Sequence, residues 1–450
     1  MKFTPLRAIT LIALLTLPAA PAFAQYMNGP ISQQQNLPEP RRKNSVDNYM
    51  SDNKDENVEI LPDEGAARGV IVTQRRHREY EPQGTRVGSF RFLPEVSLME
   101  MYNDNIYASS ANEESDFITI IEPRLALRSD WRRHALNFLA TSGHGLYADN
   151  DGENYNDYLV QADGTLEVLR NTRLAALASY SKNHEERGSP NNVVLQDGPV
   201  EFYVRTLQGE LAHKINRLKF NLIYTNQDFQ YENGRTVAGV FIDNALRDRL
   251  DNEITGRIAY ELSPDYDVYL QGGYVNRDYN SRSNRDSDGY SVYGGVRGDI
   301  TGKLFGDIYA GFLHHEYDNA AFGEYDGMGF GVNGYWNVTN LTTLNVNVGR
   351  DIQETIVAGA GGFEQTRFNM RLEHELRRNI ILTAMGGYSY DDYEDIVRED
   401  DVWQAGLGAR YLLNSHLHFF ANYNYLNRDS NAVGNDYDQN RFLVGVRAAL

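Results

Sequence analysis

Four local groupings hold the residues that could do chemistry. Ser142-Gly143-His144 sets a hydroxyl beside a base, but a reactive serine needs the sharp strand-to-helix turn of a nucleophile elbow, and this segment lacks that setting. His314 and His315 are adjacent, and adjacent strand residues point to opposite faces, so they cannot both bind one ion there. Asp149-Asn150-Asp151-Gly152-Glu153 and the acidic stretch 391–401 offer oxygen ligands without the full spacing of a calcium loop. The chain has no cysteine, which removes disulfides, thiolate metal sites and cysteine nucleophiles. No acid, base and nucleophile converge. The reading is therefore no enzyme, no catalytic residue, no metal and no cofactor, with acidic loops that form a solvated face and bridge through divalent cations to lipopolysaccharide.

Chemistry of a different kind is carried by charges repeated at alternate positions, and these need strands to hold them. Residues 366–376 put Phe368, Met370, Leu372 and Leu376 on one face and Arg367, Asn369, Arg371, Glu373 and Glu375 on the other. Residues 218–225 and 380–391 alternate in the same way, and helical spacing would mix the two sets. Segments of about ten residues with one apolar and one wet face are what a tilted membrane strand requires. Short polar turns fall near Asp130, Asn171, Asn216, Pro264, Gly302, Asn340, Arg378 and Ser415, with long acidic or glycine-rich loops between them. That rhythm predicts an all-β fold: a transmembrane antiparallel up-and-down β-barrel of about 18 strands (16–18), with short periplasmic turns and longer extracellular loops.

The N-terminus places such a barrel. Lys2 and Arg7, an apolar stretch over 8–17 and Ala22-Phe23-Ala24 read as a secretory signal peptide, residues 1–24. Residues 25–85 are polar, punctuated by proline, and predict a disordered periplasmic leader that plugs the pore or docks a periplasmic partner. Residues 86–450 are the barrel, in the cell outer membrane of a Gram-negative envelope. The composition agrees: 43 basic against 62 acidic residues repel phosphate backbones and argue against nucleic acid. Thirty tyrosines suit a water–lipid boundary, where an amphipathic ring is at home. Tyr274, Tyr388 and Tyr423 stand where upward strands pass from apolar through tyrosine into charge. With Trp131 and Trp336 beside the predicted periplasmic turns and Trp403 near the outer rim, they are assigned to two aromatic girdles.

Eighteen strands leave an aqueous channel, so the polar faces line a lumen. That gives a basic wall, Arg91, Arg124, Arg128, Arg367, Arg371, Arg410, Arg441 and Arg447, on strands 1, 2, 14, 16 and 18. Opposite it stands an acidic wall, Glu253, Glu261, Asp267 and Asp307, on strands 8, 9 and 11. Two such walls would set a transverse field that orients a polar or anionic solute; the plainer reading is local pairing in a wet wall. Tyr269, Tyr293, Tyr309 and Phe420 also face inward, as a sliding surface for sugars or as wall packing beside glycines. The long loop 230–249 carries an apolar cluster, Val237, Val240, Phe241, Ile242 and Leu246, and is the candidate constriction.

The strand Phe90-Arg91-Phe92-Leu93-Pro94-Glu95-Val96-Ser97-Leu98 runs into Tyr102-Asn103-Asp104-Asn105-Ile106-Tyr107, and the next carries Ile121-Glu122-Pro123-Arg124-Leu125-Ala126-Leu127. Over about 86–450 the chain resembles the putative β-barrel porin 2 family, outer-membrane barrels often associated with exopolysaccharide production and export. The resemblance implies a porin-like channel for a hydrophilic solute, with exopolysaccharide export as the lead reading. A general diffusion porin, or a structural or adhesive barrel, is the alternative. Outer-membrane lipid, lipopolysaccharide, polysaccharide, periplasmic export machinery and the barrel-assembly machinery are the expected partners. The terminal strand ends at Leu450 where the assembly signal of such barrels usually ends in an aromatic residue.

Overall fold

Strands with one apolar and one polar face can lie in lipid only if every backbone N–H and C=O finds a partner within the sheet, which requires the sheet to close on itself. In the computed structural model, which describes residues 72, 79–191, 196–280 and 284–450, the chain does so. The predicted signal segment and all of the predicted leader except Val72 and 79–85 lie outside the described residues.

Eighteen long strands occur among the described residues. They are β1 (Phe90–Asn103), β2 (Asp116–Ser129), β3 (Ala135–Tyr147), β4 (Tyr155–Leu169), β5 (Thr172–His184), β6 (Glu201–Ile215), β7 (Leu218–Tyr231), β8 (Arg249–Ser263) and β9 (Tyr266–Tyr279). The second half continues with β10 (Ser287–Asp299), β11 (Leu304–Tyr317), β12 (Tyr325–Thr339), β13 (Thr342–Glu354), β14 (Gly362–Arg377), β15 (Ile380–Tyr393), β16 (Glu399–Leu412), β17 (Leu417–Ser430) and β18 (Tyr437–Ala449). Each pairs antiparallel with its neighbours in sequence, and β1 pairs with β18 from Glu95↔Ala449 to Asn103↔Arg441 to close the barrel. A stub, Thr85–Val87, folds back on the base of β1, and Gly84 N–H donates to Leu450 O at 2.8 Å. A strand of about 14 residues runs about 46 Å, and a tilt of about 40° leaves about 35 Å of height, enough for the apolar band of an outer membrane.

All eight predicted turn residues lie between strands at one end of the barrel. Asn216 (φ 52°) and Gly302 (φ 75°) adopt the left-handed backbone there, which asparagine and glycine tolerate best. Four two-residue turns at this end follow a slip in register, at Glu167/Leu169, Glu261/Ser263, Asn337/Thr339 and Glu375/Arg377. Each extra residue adds local twist where the strand must reverse. No helix among the described residues is long and apolar enough to cross a membrane; the strands do the crossing.

The inner face is not uniformly wet. Met99, Ile118, Ile120, Phe420 and Leu443 point inward and form a buried cluster around the β1–β18 seam, with Met101 and Tyr147 against it. On β9 to β12 the inward tyrosines lie across glycines of the next strand. A Cβ on Gly295 would come 2.3 Å from the Tyr269 ring, and one on Gly331 2.3 Å from the Tyr309 ring. The bare backbone of one strand receives the ring of another, the packing by which aromatics cover exposed glycine in curved sheets.

Candidate functional site: the lumen and its outer mouth

Strand alternation puts Arg91, Arg124, Arg128, Arg367, Arg371, Arg410, Arg441 and Arg447 on the inner face, together with Glu253, Glu261, Asp267 and Asp307. It does not leave them as two opposed walls. Lys214 and Lys219, inward on β6 and β7, take the acids of the far side: Lys214 Nζ lies 3.0 Å from Glu261, and Lys219 Nζ 2.9 Å from Asp267. Asp307 accepts the Tyr269 hydroxyl at 2.8 Å and faces Arg257 at 3.9 Å, and Glu253 accepts from Thr255 at 3.1 Å. On the basic side, Arg367 pairs with Asp351 at 2.7 Å, Arg371 with Glu373 at 2.8 Å and Arg124 with Glu95 at 3.5 Å. Glu261, Asp267 and Asp307 therefore meet cations where they stand, Lys214 and Lys219 on β6 and β7 between the two sets of strands and Arg257 on β8 itself. Among the described residues, Arg91 donates to a carbonyl, Gln83 O, at 3.2 Å, and Arg447 to Ser97 Oγ at 3.3 Å, without a carboxylate partner.

The outer mouth is crossed by residues 185–191 of the β5–β6 loop. The neck of the loop is closed by Glu185 N–H to Val200 O at 2.8 Å, and its described residues tie to strands and loops all round the rim. Glu185 pairs with Arg247, whose guanidinium lies 4.0 Å over the Tyr231 ring. Glu186 pairs with Arg441 at 2.9 Å, and Arg187 Nε donates to Glu153 at 2.8 Å. Gly188 O accepts from Arg428 at 2.6 Å and from the Tyr437 hydroxyl at 3.3 Å. Asn191 Oδ1 accepts from Thr355 Oγ1 at 2.9 Å and Ile356 N–H at 3.1 Å, on the loop joining β13 to β14. That contact is roughly half the ring of strands away from the β5–β6 loop to which Asn191 belongs. Burial alone would raise the Glu186 carboxyl, but Arg441 and His184 beside it hold it below its ordinary value.

The loop singled out from its apolar content is not the one that crosses. In 232–248, Val237 is 81 % exposed, Val240 63 % and Phe241 57 %, and Leu246 is also exposed; Ile242 pairs in a two-residue ladder with Gly234. This loop braces the crossing one from behind. Thr236 bridges Gln196, and Asn244 Nδ2 donates to Gln196 Oε1 at 3.1 Å. Apolar content pointed to an unusual loop, whereas the crossing loop is recognised by Glu185, Glu186 and Arg187, whose partners are far away in sequence.

The girdle residues stand on the outside of the wall. Tyr274 donates to Asp288 at 2.6 Å, Tyr388 to Asp401 at 2.5 Å and Tyr423 to Asn440 at 2.8 Å. Each ring sits against lipid while its hydroxyl reaches a polar group on the adjacent strand. Trp403 packs on Tyr388 with ring centres 4.4 Å apart, and Trp131 and Trp336 are exposed beside the short turns. Ser142, His144 and Asn156 belong to the same outer face. Ser142 Oγ lies 3.0 Å from His144 Nε2, whose Nδ1 lies 2.7 Å from Asn156 Oδ1, in continuous strand without an elbow. His314 faces out to Asp326 at 2.7 Å and His315 faces in, 3.5 Å from Glu354.

The described part of the leader reaches the inner mouth. Val72 is fully buried against Ile381 and Leu412, its N–H donates to Thr343 Oγ1 at 3.0 Å, and His418 Nε2 lies 3.0 Å from Tyr80 O.

The family model described as putative beta-barrel porin 2 matches residues 78–450. The chain belongs to that family. Comparison with curated proteins gives no match. Among solved structures, it is similar to OpdO of Pseudomonas aeruginosa at 16% identity, covering 81% of this chain and 98% of that one, with a TM-score of 0.44. Outer-membrane protein OpdK of the same organism is similar at 11% identity, covering 80% and 99%, with a TM-score of 0.43. The siderophore receptor PiuA of Acinetobacter baumannii is similar at 9% identity, covering 82% of each chain, with a TM-score of 0.45. By its family and its closed sheet the chain is a porin-like β-barrel, with eighteen long strands among the described residues.

Proposed function

We propose that the barrel conducts a hydrophilic solute across the outer membrane and that its cargo is an exported exopolysaccharide, handed over by periplasmic export machinery. The observation that carries this reading is the loop held across the outer mouth. General diffusion is served by an open pore, whereas residues 185–191 are tied by Glu185, Glu186 and Arg187 to guanidinium and carboxylate partners on the β7–β8 loop, on β18 and on the β3–β4 loop. A passage that opens for a particular polymer has use for such a closure. The polar inner face below it supplies hydration for a sugar chain, and the inward tyrosines, packed over glycines, act as wall. Lipopolysaccharide and outer-membrane lipid surround the girdles, and insertion falls to the barrel-assembly machinery.

Planar-bilayer recording of the mature protein tests the reading. Export predicts small, intermittent conductance that the secreted polysaccharide blocks from the short-turn side. Steady conductance indifferent to polymers would make the chain a diffusion porin, and absence of conductance would make it a structural barrel.

A further inference from the structure

Four inward guanidinium groups gather low in the lumen on neighbouring strands. Arg124 and Arg128 lie on β2, Arg447 on β18 and Arg410 on β16, so only β1 and β17 separate them around the wall. Register fixes their levels: Arg447 is opposite Ser97 and His418, Arg124 is opposite Glu95, and Arg410 is opposite Phe420 and Ile381. The charges acting on Arg124 include Arg128 and Arg447, and those acting on Arg410 include Arg447 and Arg371, so the group shares one space.

Carboxylates share the space but are outnumbered by the guanidinium groups, Arg91 and Arg371 included. Glu95 takes one arm of Arg124 at 3.5 Å, Glu373 pairs with Arg371 at 2.8 Å and is also the leading charge on Arg410, and Glu122 and Glu375 stand inward opposite Ser97 and Ile381. Arg447 has a neutral hydroxyl, Ser97 Oγ, at 3.3 Å. Among the described residues, the Nε atoms of Arg124 and Arg410 are buried without a hydrogen-bond partner. A buried donor left unmade is destabilising, more so when charged, and gathered like charges add repulsion. An arrangement that carries both costs is relieved by an oxyanion, to which guanidinium offers paired N–H groups in a planar fork.

The group has apolar neighbours on both sides along the wall. Phe420 stands beside Arg410, with Met99 and Leu443 of the dry seam cluster next to it. Below the group, Val72 packs on Leu412, two residues along β16 from Arg410, and the Tyr80 carbonyl meets His418. Apolar neighbours on both sides keep the local dielectric low and strengthen attraction to an anion.

We infer that Arg124, Arg128, Arg410 and Arg447 form a binding site in the inner half of the lumen for oxyanion groups, carboxylate, sulfate or phosphate, carried by a sugar chain. The sugar part rests on the export reading; the oxyanion part rests on the side chains alone. Calorimetric titration of the detergent-folded mature protein with trigalacturonate, maltotriose and sodium sulfate separates the two. Trigalacturonate should bind and weaken as salt rises, sulfate should compete with it, and neutral maltotriose should bind at least tenfold more weakly. The double variant R410Q/R447Q should lose at least tenfold in trigalacturonate affinity, and R410K/R447K, which keeps charge without the fork, should fall between. Thermal unfolding of both variants checks that the barrel is intact. Equal affinity of wild type and an intact R410Q/R447Q, or equal binding of the neutral and acidic trisaccharides, overturns the site. Binding is read without conduction, so a silent bilayer alongside tight trigalacturonate binding would overturn the channel and leave the site standing.

Discussion

Glu185 offers the sharpest test of the closed mouth. Its carboxylate is 1 % exposed and the Arg247 guanidinium 5 % exposed, so removing the acid leaves a cation stranded away from water. Breaking a buried pair in this way costs about 3–5 kcal/mol. Arg247 keeps the Tyr231 ring at 4.0 Å, and glutamine keeps one acceptor, so Glu185→Gln should sit at the lower limit, about 3 kcal/mol. The penalty applies to the loop-closed state, because an open loop gives Arg247 access to water. At about 1.4 kcal/mol per decade, the ratio of open to closed mouth rises about a hundredfold. Single-channel recording should show longer open dwells and a higher open probability in Glu185→Gln, with thermal unfolding of the strands little changed. Deleting 237–240 is the matched control. It spares Thr236 and Asn244, which hold Gln196, and its side chains Val237 and Val240 are turned to solvent, so unitary conductance should be preserved. A Glu185→Gln channel with wild-type dwell times, or a deletion that widens the pore, would show that the latch has been placed on the wrong loop.

Acid should loosen the same mouth through a different residue. Glu186 is held below its ordinary value of 4.5 by Arg441, so its pair contributes fully above pH 4.5 and the contribution is lost as pH falls through the lowered value. Open probability should rise as pH falls below about 4.5 in wild type, and that acid rise should be absent in Glu186→Gln. Among glycines, Gly311→Ala should destabilise more than Gly331→Ala. The first puts a Cβ 1.9 Å from the Val292 carbonyl, which is backbone, and the second meets the far end of the Tyr309 ring. Overpacking of the first kind costs about 1–3 kcal/mol, read as a lower urea midpoint for the folded barrel in detergent. Bromine-labelled lipids should quench Trp131, Trp336 and Trp403 more strongly when the label is near the headgroup than when it is at mid-chain, as girdle positions require; strongest quenching from mid-chain would remove the girdle assignment.

How far the sequence could be read follows from which interactions are local. Alternation within a strand is written in neighbouring residues, so the outward set Phe368, Met370 and Leu372 and the inward set Arg367 and Arg371 could be separated by parity alone, and the turns at Pro264 and Gly302 by their own backbone preferences. Parity also put twelve charges on the inner face, yet it could not say what each one meets. Lys214 reaches Glu261 and Lys219 reaches Asp267, partners 47 and 48 residues away, and pairing between strands whose register is unknown is invisible to a count of charge by strand. The crossing loop was harder still. Glu185, Glu186 and Arg187 carry no local signal, because nothing near them in sequence reveals that Arg247, Arg441 and Glu153 wait on three different parts of the rim. The abundance of tyrosine and glycine has a double origin for the same reason. Outside, tyrosines sit where lipid meets water, which composition can suggest. Inside, Tyr269 and Tyr309 fill the space that Gly295 and Gly331 leave open, a fit set by register across β9 to β12 and legible only once the strands are side by side.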